Sequence, residues 1–83
     1  LRNTVNQKKS ELQKSIAYLE KAVELNPDFA SANENLGIAY ASVGRFSEAI
    51  PLLQRALKLY TEEKDIARTR DNLSKMQAAA SGK

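Results

Sequence analysis

Leu12, Ile16, Leu19, Ala22, Val23 and Leu25 are spaced by four, three, three, one and two residues along the chain. That spacing is the apolar stripe of an amphipathic helix. Shifting the sequence by 34 residues lays the same set on Phe46, Ile50, Leu53, Ala56, Leu57 and Leu59. Six coincidences at one offset make each copy one helix of an internal repeat. Between the copies, Leu36, Tyr40 and Val43 keep the helical spacing, and after them Ile66, Leu73, Met76 and Ala80 do the same. The pattern therefore predicts four helices and no strand.

Punctuation sets the expected boundaries. Ser10 and Gln13 form an S-x-x-Q pattern ahead of the first stripe, which could start a helix there. Val5 lies seven residues before Leu12, on the same face, so an unbroken helix from near Thr4 to Leu25 is favoured over a break at Ser10. Asn26-Pro27-Asp28 stops it, because a proline disfavours helical geometry at the residue before it, and Asp28 is placed to cap the next helix. That helix is expected over Phe29 to Val43 and is ended by Gly44, which accepts a left-handed backbone. Arg45-Phe46-Ser47 is too short to do anything but turn the chain back antiparallel. The third helix is expected from Ser47 to about Lys64, with Pro51 in its first turn or so, where a missing N–H costs little. The fourth is expected over 65–80 with Asp65 as cap, leaving 81–83 to fray. Asn72-Leu73 repeats Asn35-Leu36 at an offset of 37, three more than the first period, and Thr61 stands where Pro27 stood. The third helix is therefore expected to be nearly a turn longer than its earlier copy.

Composition then restricts function. The 83 residues allow one small domain. Their 42% hydrophobic and 28% charged content is that of a globular chain. No run of about 18 apolar residues spans a membrane, and no signal-peptide pattern is present. The chain begins at Leu1 instead of Met, as an excised piece of a longer protein would. Without cysteine there is neither disulfide nor thiolate metal site, which leaves the compartment undecided. The net charge of +3 comes from basic residues scattered among acids, not from the basic stripe with interleaved aromatics that nucleic acid requires. No histidine or cysteine supplies a general base or reactive nucleophile. Glu62, Glu63 and Asp65 could hold a hard cation, but a solvated helix end with Lys64 in its midst is the simpler reading, since calcium takes six to eight oxygens in a shaped loop. No enzyme activity, cofactor or metal is expected.

The run Leu36-Gly37, Tyr40, Gly44, Phe46, Ala49, Leu53, Ala56 resembles the signature of the tetratricopeptide repeat, a helix-turn-helix unit of 34 residues. The resemblance is close over Ala30 to Glu63. Residues 10–26 are similar to the second helix of an earlier repeat, with Ser15 in place of Ala49. Residues 1–9 keep almost none of the first-helix pattern, having Asn3 where the glycine would stand. Residues 28–64 are then the full repeat and 65–80 a terminal capping helix, with Ser74 and Gln77 in place of glycine and tyrosine. The resemblance implies an all-α fold of antiparallel helix-turn-helix repeats stacked as a short right-handed solenoid. It also places Gly37 and Ala49 at the tightest crossing of the repeat, where small side chains let backbones approach.

The same resemblance implies a non-catalytic module that binds a peptide or helix of another protein on a concave face lined by first helices. Carried onto this sequence, the inward positions are Ser31, Glu34, Asn35, Ile38, Ala41 and Ser42, joined by Arg68, Asp71, Asn72 and Lys75 of the fourth helix. Asn35 and Asn72 would form a two-rung ladder of carboxamides able to bond a peptide backbone. Some members hold the carboxylate tails of chaperones in a clamp of Lys, Asn, Asn, Lys and Arg. Asn35 and Arg68 fit two of those places, but Asn72 stands where the arginine would be and Thr4 where the first asparagine would be, so that ligand is not expected. The alternative is a self-associating or docking module, using the stripe Val5, Leu12, Ile16 and Leu19, if few residues of the chain itself cover it.

Overall fold

A computed structural model describes residues 4–82, with side chains from Lys8 onward. Asn3 lies outside the described residues, and the side chains of Thr4 and Val5 outside the described side chains. Four α-helices follow one another: α1 Thr4–Leu25, α2 Ala30–Ser42, α3 Phe46–Leu59 and α4 Glu63–Ala80. There is no strand among the described residues. α1 runs unbroken through Ser10 for 22 residues.

Connections of three or four residues turn each helix back on the one before. α2 is central: it packs on α1 and α3 and also reaches α4, while α3 packs on α4. Among the described residues α1 and α3 do not meet. The molecule is 20 Å thick in its shortest dimension, about two helix diameters, as expected of two layers. The core joins Ile16 of α1, Leu36 and Tyr40 of α2, Ala49 and Leu53 of α3, and Leu73 and Met76 of α4.

The tight crossing is where the small residues fall. A Cβ added to Gly37 would lie 2.5 Å from Leu53 Cδ2 and 3.2 Å from the Ala49 carbonyl oxygen. Leu53 and Ala49 are fully buried beside it. At the far end of α2, Gly44 takes φ +81°. The Gly44 N–H then donates to the Ala41 carbonyl and the Arg45 N–H to the Tyr40 carbonyl, the double closure of a Schellman turn. Arg45 completes it, its guanidinium lying 4.3 Å from the centre of the Tyr40 ring.

Several boundaries differ from expectation. Asp28 does not cap α2; Phe29 occupies the N-cap without a side-chain bond. The loop is held from inside the helix instead, because Asn33 donates from Nδ2 to the carbonyls of Pro27 and Phe29, each at 2.9 Å. α3 begins at Phe46 and ends at Leu59, not near Lys64, with Tyr60 extended. Pro51 is therefore in the second turn, where it withholds a donor from the Ser47 carbonyl; Ser47 is exposed, so solvent reaches that group. α4 starts at Glu63 with Glu62 as N-cap, and Asp65 lies in its first turn. The extra residues of the second period thus lengthen the start of α4, not the end of α3.

Candidate partner-binding surface

Surrounded by α1, α3 and α4, α2 keeps little surface of its own. Ala32, Asn33, Glu34, Leu36, Gly37, Ala39 and Tyr40 are buried. Its exposed residues are Asn35, Ile38 and Ser42, with Ser31 and Ala41 half-buried beside them. Ser31, Asn35, Ile38 and Ser42 recur at four, three and four residues, so they form one stripe. Ile38, 39% exposed, is its apolar member. The Ser42 hydroxyl donates back to the Ile38 carbonyl at 2.9 Å. α4 is open over a wider arc, with Arg68, Asp71 and Lys75 exposed and Asn72 half-buried.

One ion pair fixes how the two helices sit. Arg68 donates from Nε and Nη2 to the two carboxylate oxygens of Glu34, at 2.8 and 2.9 Å. Arg68 also meets Asp65 at 3.0 Å. The Tyr60 hydroxyl donates to Glu34, and the Arg68 guanidinium lies 5.6 Å from the centre of the Tyr60 ring. Glu34, expected to face a partner, is instead 4% exposed and committed to these two groups. The arginine contact holds its carboxyl below the ordinary range against the opposing effect of burial, and the Tyr60 hydroxyl adds to the lowering. Burial, then the Glu34 bond, push the Tyr60 hydroxyl up to about 12. Glu34 is thus a strut between α2 and α4.

Asn33 is the residue that the sequence reading passed over. It is fully buried, and its carboxamide oxygen also accepts from Arg55 of α3 at 3.4 Å. A signal was present, since Asn33 continues the stripe Phe29, Leu36, Tyr40 at spacings of four and three, which places a polar group on the apolar face. A second tie joins α1 to α2: the Tyr40 hydroxyl donates to Glu20.

The family model described as tetratricopeptide repeat matches residues 7–64. The chain belongs to this family. No curated protein matches it. As a tetratricopeptide repeat protein it is an all-helical stack of helix-turn-helix units, and repeats of this kind generally mediate interactions between proteins and are typically non-catalytic. No helix among the described residues is long and apolar enough to cross a membrane. α2 and α3 form one antiparallel helix pair, with α1 packed on α2 and α4 packed on α3.

Packing on α2 accounts for much of the α1 stripe. Ile16 is buried, and Leu12, Leu19 and Val23 pack against the core. α2 thus covers part of the stripe on which self-association would rest; the side chain of Val5, its remaining member, lies outside the described side chains.

Proposed function

We propose that this protein binds a segment of a partner protein along the open stripe of α2, between Ser31 and Ser42, with Arg68, Asp71, Asn72 and Lys75 of α4 as its second wall. The observation that carries the reading is the exposure pattern of α2: buried on every other side, it leaves a single line of side chains to solvent. The packing supports it as well. α2 reaches α4 whereas α1 and α3 stay apart, so the layers close up on the α2/α4 side and splay on the other. Asn35 and Asn72 carry the polar recognition in this reading, each offering one donor and one acceptor group to a peptide backbone. Neither has a side-chain bond within the described residues that this would displace.

The test is a pair of substitutions. Asn35→Ala and Asn72→Ala should each weaken binding to a partner isolated by affinity capture, by about tenfold, the order of one or two hydrogen bonds. Thermal stability should be unchanged for Asn35→Ala and within about 1 kcal/mol for the half-buried Asn72→Ala. Undiminished affinity in both variants would remove the stripe from the binding surface.

A further inference from the structure

α1 carries a second apolar stripe besides the one that meets α2. Ser15, Tyr18, Leu19, Ala22 and Leu25 recur at three, one, three and three residues, so they share one side of the helix over about three turns. The 34-residue correspondence sets them against Ala49, Leu52, Leu53, Ala56 and Leu59 of α3. On α3 the inner positions, Ala49, Leu53 and Ala56, are fully buried. Their counterparts on α1 are not: Ser15 is exposed, and Leu19 and Ala22 are half-buried. Leu52 and Leu59 are half-buried, whereas Tyr18 and Leu25 are 76% and 74% exposed. The cause is the number of neighbours. α3 packs on both α2 and α4, but among the described residues α1 packs on α2 alone. The side that takes the Gly37 crossing on α3 is uncovered on α1.

What covers that side of α3 indicates what fits on α1. There a helix lies antiparallel, with a glycine against Leu53 and Ala49. Ser15 and Leu19 are the corresponding small and large groups, so they accept the same close approach. Charge sets the flank. Lys14 and Lys21 follow the outer edge of the stripe, four residues before and three after Tyr18. Among the described residues Lys14 forms no ion pair, and Lys21 meets only Glu24, at 3.6 Å with both side chains exposed. One turn earlier on the same side, Lys8 and Glu11 balance in sign. A second copy does not answer this description: two α1 helices paired antiparallel set equivalent edges together, lysine against lysine. Nor does α4 of another copy, whose exposed Ala67, Arg70, Ser74 and Gln77 include no large apolar side chain. We infer that α1 docks a single amphipathic helix of another protein, antiparallel to it, with a glycine or alanine over Ser15 and Leu19 and acidic side chains along the edge that faces Lys14 and Lys21. This surface shares no residue with the α2 stripe.

A displayed library of helical peptides of about 18 residues, randomised on one face and its two edges and selected on the intact chain, tests this. The selected helices should carry a small residue at the centre of the apolar face and Asp or Glu along one edge. Ser15→Arg puts bulk at the closest approach, on a position already exposed, and should weaken them about tenfold without lowering the melting temperature. Tyr18→Ser should weaken them about fivefold. Lys14→Glu/Lys21→Glu should weaken them about tenfold at about 50 mM NaCl and less at about 500 mM. Asn35→Ala should leave them unaffected, which separates this surface from that of the proposed function. Selected helices indifferent to both Ser15→Arg and Tyr18→Ser would overturn the docking face, as would a selection that enriches nothing. Helices that need Ser15 but are neutral or basic at their edges, and are indifferent to the lysine reversals, would overturn the acidic partner. A dimer of the native chain that Tyr18→Ser abolishes would seat a second copy on the stripe and overturn the inference as well.

Discussion

Gly37 shows how much one hydrogen atom matters. Alanine is the better helix former by about 1 kcal/mol, yet its methyl group would meet a fully buried Leu53 at 2.5 Å and the fixed Ala49 carbonyl at 3.2 Å. Overpacking of that kind costs about 1–3 kcal/mol. Gly37→Ala is thus expected to lower stability by about 1 kcal/mol net in urea titration, and a gain in stability would mean the crossing is looser than described. Glu34 gives a pH signature. Its folded pKa lies below the ordinary 4.5, so its contribution is present above that value and is lost as pH falls through the folded one. Denaturation of the native chain and Glu34→Gln across pH 2–7 should show a difference of about 1 kcal/mol at neutral pH, kept small by the half-exposed Arg68, that shrinks on acidification. A constant difference would deny the strut its charge. Residues of this scale were unevenly legible. Gly37 and Gly44 stood out because only one residue type meets their geometry. Glu34 looked like any surface glutamate, since its burial comes from Tyr60 and Arg68, remote in sequence.

At the level of the element, periodicity located all four helices, but the ends followed contacts. The run from Tyr60 to Lys64 has no proline and good helix formers, so local propensity alone continues α3. Tyr60 instead leaves the helix with φ −71° and ψ 142°, and its side chain lies between Glu34 and Arg68. A tertiary contact overrides the propensity of a few residues, which amounts to tenths of a kcal/mol each. Glu63 and Asp65 then fall in the first turn of α4, where the helix dipole favours acids. Pro51 is the opposite case, a local fault retained inside a helix. Pro51→Ala restores a backbone bond to Ser47 and removes the ring's clash, partly offset by a freer unfolded chain. A gain of about 1–2 kcal/mol is expected, read as a rise in the melting temperature of several degrees. No rise would place the compensation elsewhere in α3.

Across the whole molecule, the repeat pattern and the packing agree that α1 is used internally. With Ile16 buried and Leu12, Leu19 and Val23 partly buried against the core, that stripe has only part of its apolar surface left to give a second copy. Tyr18 and Leu25 remain exposed on α1, but pairing two copies antiparallel there would set Lys14 and Lys21 against their own counterparts. Sedimentation at rising concentration should therefore show a monomer; a concentration-dependent dimer abolished by Tyr18→Ser would put the interface on the outer face of α1. The two open stripes of the proposed surface come from residues about one repeat apart, Asn35 and Asn72. The Glu34–Arg68 pair, separated by 34 residues, is a direct tie between their helices, both of which also pack on α3.

By itself the sequence determined the all-helical class, the 34-residue repeat, the close approach at Gly37 and the left-handed turn at Gly44. Each of these follows from spacing or from a conformation that a single residue type permits. Only the tertiary structure decided that α3 stops at Leu59, that Asn33 holds a loop from within the core, and that Glu34 and Arg68 are spent on each other. Those outcomes depend on which distant groups arrive at the same place, and a buried polar side chain settles where its partners are.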